Sequence, residues 1–332
     1  MSDRVTVLDV AHRANVSAAT VSRVFNSVAS VDPDLAKRVR KAASDLSYVP
    51  NPNGRALRRQ RSDLWAVIVS DLQNPFYTRL VADIESIGNE QGFSVMLCAS
   101  DEDLEKERRH IQVALSQRMA GVVISPSSES RTDVSVLTEA GIPVVVVDRR
   151  VAGYSGASVM VDNLQVGNLA AQHFLDRGYT VPACITSSKD VSSAHGRRRG
   201  FVETLGRAGI EVPTERIFST DLRYESGRET VLRMLEAHPE VDSLFTVNGP
   251  LTAAAFTVLK GEGVEIPERI ALIGVDDDQW TAMVTPSVTV IRQPVSEVGR
   301  IAGELLCQLS GLKSLAGATV VLSPELVVRE ST

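Results

Sequence analysis

Cysteine is scarce in this 332-residue chain and the three present, Cys98, Cys184 and Cys307, stand far apart with no CxxC pair. That disfavours a disulfide scaffold and a cysteine-based zinc site, and fits a reducing compartment. Charged residues reach only 23% and no stretch is of low complexity, which argues against extended disorder and fibrous architectures. No apolar run approaches the roughly 18 residues of a membrane span. The opening MSDRVTVLDVAHRAN is too charged for a signal-peptide core. The expected location is the cytoplasm. The common catalytic motifs are missing as well: there is no GxxxxGK[ST] loop, no GxSxG elbow and no HExxH, and GEGVEI at 261–266 lacks the third glycine of a dinucleotide loop. The five histidines have no HxxxH spacing and are expected on surfaces. The expectation is therefore a protein that is not an enzyme and carries no metal and no cofactor.

What is present is a 43% hydrophobic content, enough for a sizeable core, and a lopsided charge. Residues 1–62 hold eleven Lys/Arg against five Asp/Glu, a charge of +6, while the remainder holds 24 against 36, a charge of -12. A small basic head on a large acidic body points to a polyanionic partner for the head alone, because Lys and Arg gain by releasing counterions from a phosphate backbone.

Within the head, Thr6 followed by Asp9 reads as a capped helix start, with Leu8, Ala11 and Ala14 on one face. Asn15-Val16-Ser17 forms a tight break, Asn taking a left-handed backbone and Ser17 capping a second helix whose apolar stripe is Val21, Val24 and Phe25. Asp32 caps a third helix with Pro33 in its first position and Val39, Ala42, Ala43 and Leu46 at helical spacing. Such a helix-turn-helix unit lays its second helix in the DNA major groove, with Ser17, Ala18, Ala19, Thr20, Ser22 and Arg23 over base edges. The two alanines can only pack on a thymine methyl, so polar readout falls on Thr20, Ser22 and Arg23, with Arg23 the expected guanine contact.

In the body, apolar runs at 64–70, 94–100, 121–125 and 142–148 read as strands, with helices over about 76–90 and 104–117 between them. A second series has strands near Cys184, Leu244 and Leu272 and helices starting near His195, Glu225 and Leu251. The alternation predicts two α/β lobes with parallel sheets. Ligands bind beyond the carboxyl ends of such strands. Asp148, Asn248 and Asp276 lie just after strands, and Arg197 is read as opening a helix. Carboxylates, an amide and a guanidinium suit a polyhydroxylated ligand, since each carboxylate accepts from neighbouring hydroxyls while Arg donates. The run Asp276-Asp277-Asp278, without further placed ligands, is weak evidence for a metal.

The segment VTVLDVAHRANVSAATVSRVFN, followed by residues 31–50 ending LSYVPN, closely resembles the DNA-binding head of the LacI/GalR family of bacterial transcription regulators. The resemblance continues through NPFYTRLVADIE (74–85), RMAGVVISP (118–126), IPVVVVDR (142–149), RRRGF (197–201), IALIGVDDD (270–278) and VIRQP (290–294). It implies an all-α helix-turn-helix head over 1–50, a hinge helix over 51–62, and over 63–332 an α/β core of two parallel-sheet lobes resembling periplasmic sugar-binding proteins. The first lobe would span about 63–161 and 292–323, the second about 162–291 and 324–332. Thr6 and Asn26 join the DNA-binding positions. In relatives the hinge pushes leucines between central base pairs from the minor groove; Leu57 holds that position, with Arg55, Arg58, Arg59 and Arg61 on phosphates. Asp148, Arg197, Asn248 and Asp276 match ligand-contacting positions, and Phe76 a further cleft position. Trp280 either packs on a sugar face or fills the lobe interface.

Two departures from the family pattern stand out. Asn248-Gly249 replaces the usual Asn-Asp, removing a carboxylate, and Leu222 stands where relatives often offer a stacking aromatic. A flat purine would lose its sandwich, which favours a small sugar or sugar derivative as the effector. The implied function is a transcriptional repressor, a homodimer on near-palindromic operator DNA, whose affinity the effector controls. Other readings are a corepressor-dependent or phosphoprotein-partnered regulator of the same fold, and a sugar-binding protein without DNA function. No leucine-heptad tail follows Val328, which favours a dimer over a tetramer.

Overall fold

The computed structural model describes residues 5–25, 31–48, 61–187, 190–311 and 317–332. The chain divides into two compact units, residues 1–62 and 63–332.

Among the described residues, the first unit holds three helices, α1 (Val7–Ala14), α2 (Ala18–Phe25) and α3 (Pro33–Asp45). Thr6 and Asp9 form a reciprocal capping box at the start of α1. Asn15 takes the left-handed backbone at φ 50°, so the chain turns within three residues into α2. Asp32 caps α3, its Oδ1 accepting from the Asp34 and Leu35 amides, and Pro33 occupies the first turn where no amide hydrogen is needed. One fully buried valine from each helix, Val10, Val21 and Val39, meets at the centre. Arg38 Nη2 donates to Ala14 O at 2.7 Å, satisfying a carbonyl that the end of α1 would leave orphaned.

The second unit is built from two six-stranded sheets. The first contains β1 (Leu64–Val69), β2 (Ser94–Ala99), β3 (Gly121–Ile124), β4 (Val144–Val147), β5 (Ala157–Val161) and β11 (Thr319–Leu322), in the order β11-β5-β4-β3-β1-β2. The second contains β6 (Pro182–Ser187), β7 (Ile217–Thr220), β8 (Ser243–Thr246), β9 (Ala271–Val275), β10 (Thr289–Arg292) and β12 (Glu325–Val327), in the order β12-β10-β9-β8-β6-β7. Strands such as β3, β4 and β8 are buried along their whole length, which is why they read as unbroken apolar runs. The chain passes from one sheet to the other after β5, after β10 and after β11.

Three expectations need correction. Among the described residues all strand pairs are parallel except the edge pair β10–β12, which is antiparallel because only two residues separate β11 from β12 as the chain changes sheet. Arg197 does not open its helix; α8 runs from Ser192 to Arg207, which places Arg197 in its second turn. Not all histidines decorate the surface, since His173, on α7 (Asn163–Arg177), is 6% exposed and its Nε2 pairs with Thr332 Oγ1 at 2.8 Å.

Candidate ligand cavity and DNA-recognition helix

On the head, the exposed face of α2 carries Ala19 and Arg23, one turn apart, with Thr20 and Ser22 half-buried beside them. Ser17 Oγ accepts from the Thr20 amide at 3.1 Å and pairs with Thr20 Oγ1 at 2.9 Å, so the two hydroxyls that start the helix also brace each other. Ala18 packs against the head's core rather than standing clear of it. Thr6 is exposed, but its hydroxyl and amide both donate to Asp9 Oδ2 at 2.7 Å, an arrangement that serves the helix start. Asn26, Arg55, Leu57 and Arg58 lie outside the described residues.

In the core, the strand ends of both lobes converge on a cleft open to solvent, where the space not filled by atoms, open solvent included, is about 330 Å³. Phe76, Asp148, Arg197, Leu222, Asn248 and Asp276 all line it, so six of the seven expected positions come together. Trp280 does not; it is half-buried, tilted against Phe256 with ring centroids 5.8 Å apart.

Local structure explains each placement. Asp148 and Asp276 are the first residues after β4 and β9, and both hold a left-handed backbone, φ 63° and 75°, which turns each carboxylate out of its strand. Asp tolerates that conformation better than most residues, but it is a strained one, of a kind that gathers at ligand sites. Asn248 caps α10 (Gly249–Gly261), its Oδ1 accepting from the Leu251 amide at 3.0 Å while Nδ2 donates to Leu222 O at 2.9 Å. One amide hydrogen of Asn248 is left for a ligand.

Arg197 is 4% exposed and is held on three sides: Nε donates to Asn163 Oδ1, Nη1 to Val247 O and Nη2 to Gln293 Oε1, each at 2.7 Å. Its helix is seated by glycines. A Cβ on Gly167 of α7 would stand 2.0 Å from Arg197 O, and one on Gly200 of α8 would stand 2.1 Å from Leu164 O, so the two helices cross backbone to backbone. Burial pulls the Arg197 guanidinium below its usual range, opposed by Asp148 and Asp276.

Sequence reasoning missed several lining residues. Gln293 Nε2 donates to Asp276 Oδ1 at 2.6 Å, so this amide joins the buried cation to the buried carboxylate. Tyr77 OH donates to Asp148 Oδ2 at 2.9 Å and accepts from Ser70 Oγ at 2.7 Å. Arg149 donates twice to Glu102, at 2.8 and 2.6 Å, and its Nε lies 3.4 Å from Asp148 Oδ2, an ion pair without hydrogen-bond alignment. Gln293 follows β10 directly, so the strand-end rule that points to Asp148, Asn248 and Asp276 would have found it had 289–292 been read as a strand.

Burial pushes the Asp276 carboxyl upward, against the pull of Arg197, Gln293 and the Gly249 amide. Gly249 itself explains one departure: a side chain there would meet Asp278 Oδ2 at 3.2 Å and Asp276 Oδ2 at 3.3 Å, so an aspartate would add a third negative charge to a crowded pair. Asp277 is occupied by Arg292 at 2.6 Å and Arg329 at 2.5 Å. Among the described residues no group of His, Cys, Asp and Glu could hold a metal ion, and no helix is long and apolar enough to cross a membrane.

A three-helix DNA-binding fold and a two-lobed cleft lined by carboxylates, an amide and guanidiniums define a ligand-binding regulator with a helix-turn-helix head. The chain belongs to the LacI family of bacterial regulatory proteins. Residues 6–51 match the family model of bacterial regulatory proteins of the lacI family, and residues 63–325 match that of periplasmic binding proteins and the sugar-binding domain of the LacI family. It is 30% identical to the HTH-type transcriptional regulator DegA of Bacillus subtilis, over 99% of this chain and 98% of that protein. It is 29% identical to the ribose operon repressor of Escherichia coli K12, over 98% and 99%. Its fold matches the Lac repressor dimer bound to operator and the anti-inducer ONPF, with a TM-score of 0.87 and 25% identity over 99% of each chain. This family consists of transcriptional regulators, not enzymes.

Proposed function

We propose that this protein is a cytoplasmic, homodimeric repressor whose affinity for a near-palindromic operator is set by an uncharged sugar or sugar derivative held between the core lobes. The observation that carries the ligand class is the balance of the cavity wall. Two carboxylates, Asp148 and Asp276, face two guanidiniums, Arg149 and Arg197, and Arg149 is already bidentate to Glu102. A phosphorylated or acidic sugar would add negative charge to a wall whose guanidiniums already face Asp148, Asp276 and Glu102, whereas hydroxyls can accept from Arg197 and Asn248 and donate to the carboxylates. The aliphatic Leu222 offers no ring for a purine to stack on.

On DNA, Arg23 is the base-reading residue, supported by Ser17, Ala19, Thr20 and Ser22, with Thr6, Ala18 and Asn26 flanking; Arg55, Leu57 and Arg58 of the hinge act on phosphates and the central step. Coupling between the two sites is reciprocal and typically worth about 1–3 kcal/mol.

The test is a thermal-shift panel of pentoses, hexoses, their phosphates, nucleosides and purines. A true effector at a hundred times its dissociation constant stabilises the fold by about 2.7 kcal/mol. We expect the hit among the uncharged sugars, lost in Asp276→Ala. A hit confined to sugar phosphates or purines overturns the ligand class, and silence throughout points instead to a protein corepressor.

A further inference from the structure

Outside the cavity, Arg223 Nη2 of the second lobe donates to Asp101 O of the first at 2.8 Å, and a larger set of bonds between the lobes is centred on one side chain. Asp190 lies in the second lobe between β6 and α8, and its Oδ2 accepts from three donors of the first lobe: Ser128 Oγ at 3.1 Å, the Ser130 amide at 2.8 Å and Ser130 Oγ at 2.7 Å. Its carbonyl accepts from the Glu129 amide at 3.1 Å. Next to it the Arg150 amide donates to Ser192 Oγ at 2.9 Å, again across the lobes. None of Asp190, Ser128, Ser130, Arg150 and Ser192 lines the cavity, yet Arg149 and Ser193, the neighbours of the last two, do.

The donor side is preorganised. Glu107, on α5 (Leu104–Ser116), is fully buried without a cation, and its two oxygens accept from the Ser127 amide and Thr132 Oγ1, each at 2.6 Å. Ser128 Oγ in turn accepts from the Arg131 amide at 3.2 Å. A carboxylate buried in this way is costly unless it fixes something. Here it fixes the turn 127–132 with four donors aimed at the opposite lobe. The bonds from Ser130 and Ser128 hold the Asp190 carboxyl below the usual carboxylate range, as expected where the ionised form takes the bonds.

We infer that Asp190 is a positioning residue for effector capture: with the Glu107-braced turn it latches the two lobes in the closed arrangement and so sets how much of the free protein is already competent to hold an effector. A latch that favours closure raises apparent affinity by raising the competent fraction, without touching the ligand. The inference concerns the lobe equilibrium that the proposed effector response would use. Its test needs no effector, so it can fail while that response stands.

The test is an electron-spin distance measurement on the full-length protein, with labels on cysteines introduced at the exposed positions Glu90 of the first lobe and Glu236 of the second. Cys307 is replaced by Ser, since it alone of the native cysteines is partly exposed. Excess unlabelled protein is added so that only pairs within one chain are read. The parent protein should show mainly the short, closed distance. Asp190→Ala should lower the closed-to-open ratio roughly tenfold, the scale of losing charge-assisted bonds. Ser130→Ala, at an exposed position of the other lobe, should lower it by a smaller factor, and the double variant should be no worse than Asp190→Ala alone. Distance distributions for Asp190→Ala that superimpose on the parent, or effects that simply add, overturn the latch. If Asp190→Ala folds poorly, Ser130→Ala decides alone, and an unchanged distribution there counts against it.

Discussion

Each lobe offers the cavity a carboxylate from the same kind of address, the first residue after a central strand, in the same left-handed conformation, yet the two are secured differently. Asp148 is held by near neighbours in its own lobe: Tyr77 OH, Ser125 Oγ at 3.3 Å and the adjacent Arg149. Asp276 Oδ2 accepts from the Gly249 amide at 3.3 Å, while its Oδ1 ends a chain of side chains in which Gln293 bonds it to Arg197, and Arg197 reaches on to Asn163 and Val247 O. The first arrangement has redundancy, because losing one hydroxyl leaves another. The second turns on Gln293, one side chain that bonds both Asp276 and Arg197, so a fault there disturbs two buried charges at once. Disturbance should therefore spread in the second lobe and stay local in the first.

The sharpest way to break that comparison lies in the helix crossing that seats Arg197. Gly167→Ala puts a methyl group 2.0 Å from Arg197 O and 2.5 Å from the Phe201 amide nitrogen, where only backbone can yield. Chemical denaturation should show a loss of about 3 kcal/mol or more, at the upper end of the costs of overpacking. A loss below about 1 kcal/mol would mean the helices can part freely and that Arg197 is not seated by them. The matched pair comes next. Gln293→Met keeps the volume but removes the bonds to Arg197 and Asp276 together, an expected cost of about 2–3 kcal/mol. Tyr77→Phe removes one donor from Asp148 and should cost about 1 kcal/mol, since Ser125 remains. Equal losses from the two substitutions would erase the distinction between the lobes.

The same contrast explains how much was legible beforehand. The head was read closely because its signals are local: Thr6 with Asp9, Asn15 in the turn and Asp32 before Pro33 each fix a helix boundary within four residues. In the core the strand-end rule and the family resemblance pointed to Asp148, Asn248 and Asp276, because a strand followed by a polar residue is visible in one stretch of chain. Gln293 was not, since 289–292 is short and carries Thr and Arg, and its strand character depends on pairing with β9 and β12. Arg197 was recognised but put at the wrong place in its helix, as neither Ser192 nor Ser193 supplies a side-chain cap to mark the start. Trp280 carries no signal in sequence that separates packing against Phe256 from facing a ligand.

The smallest expected effect tests electrostatics at the edge of the second lobe's carboxylate, and its sign is opposite to the others. Partial burial, then the nearby Asp276, push the Asp278 carboxyl up to about 6 from an ordinary 3.8. A group raised in the fold contributes stability while protonated; that contribution is complete below about 3.8 and is lost as pH rises through about 6. Asp278→Asn removes the penalty of ionising there. The variant should match the parent below about pH 4, gain on it as pH rises from there through about 6, and hold a constant lead by pH 8. Because Asp278 is only half-buried, the solvent screens much of the shift and the lead should not exceed about 1 kcal/mol. Melting curves from pH 4 to 8 measure it. A difference that does not change with pH would place the cost of Asp278 in packing, and would leave Asp276 without the electrostatic crowding that sets its side of the cavity apart.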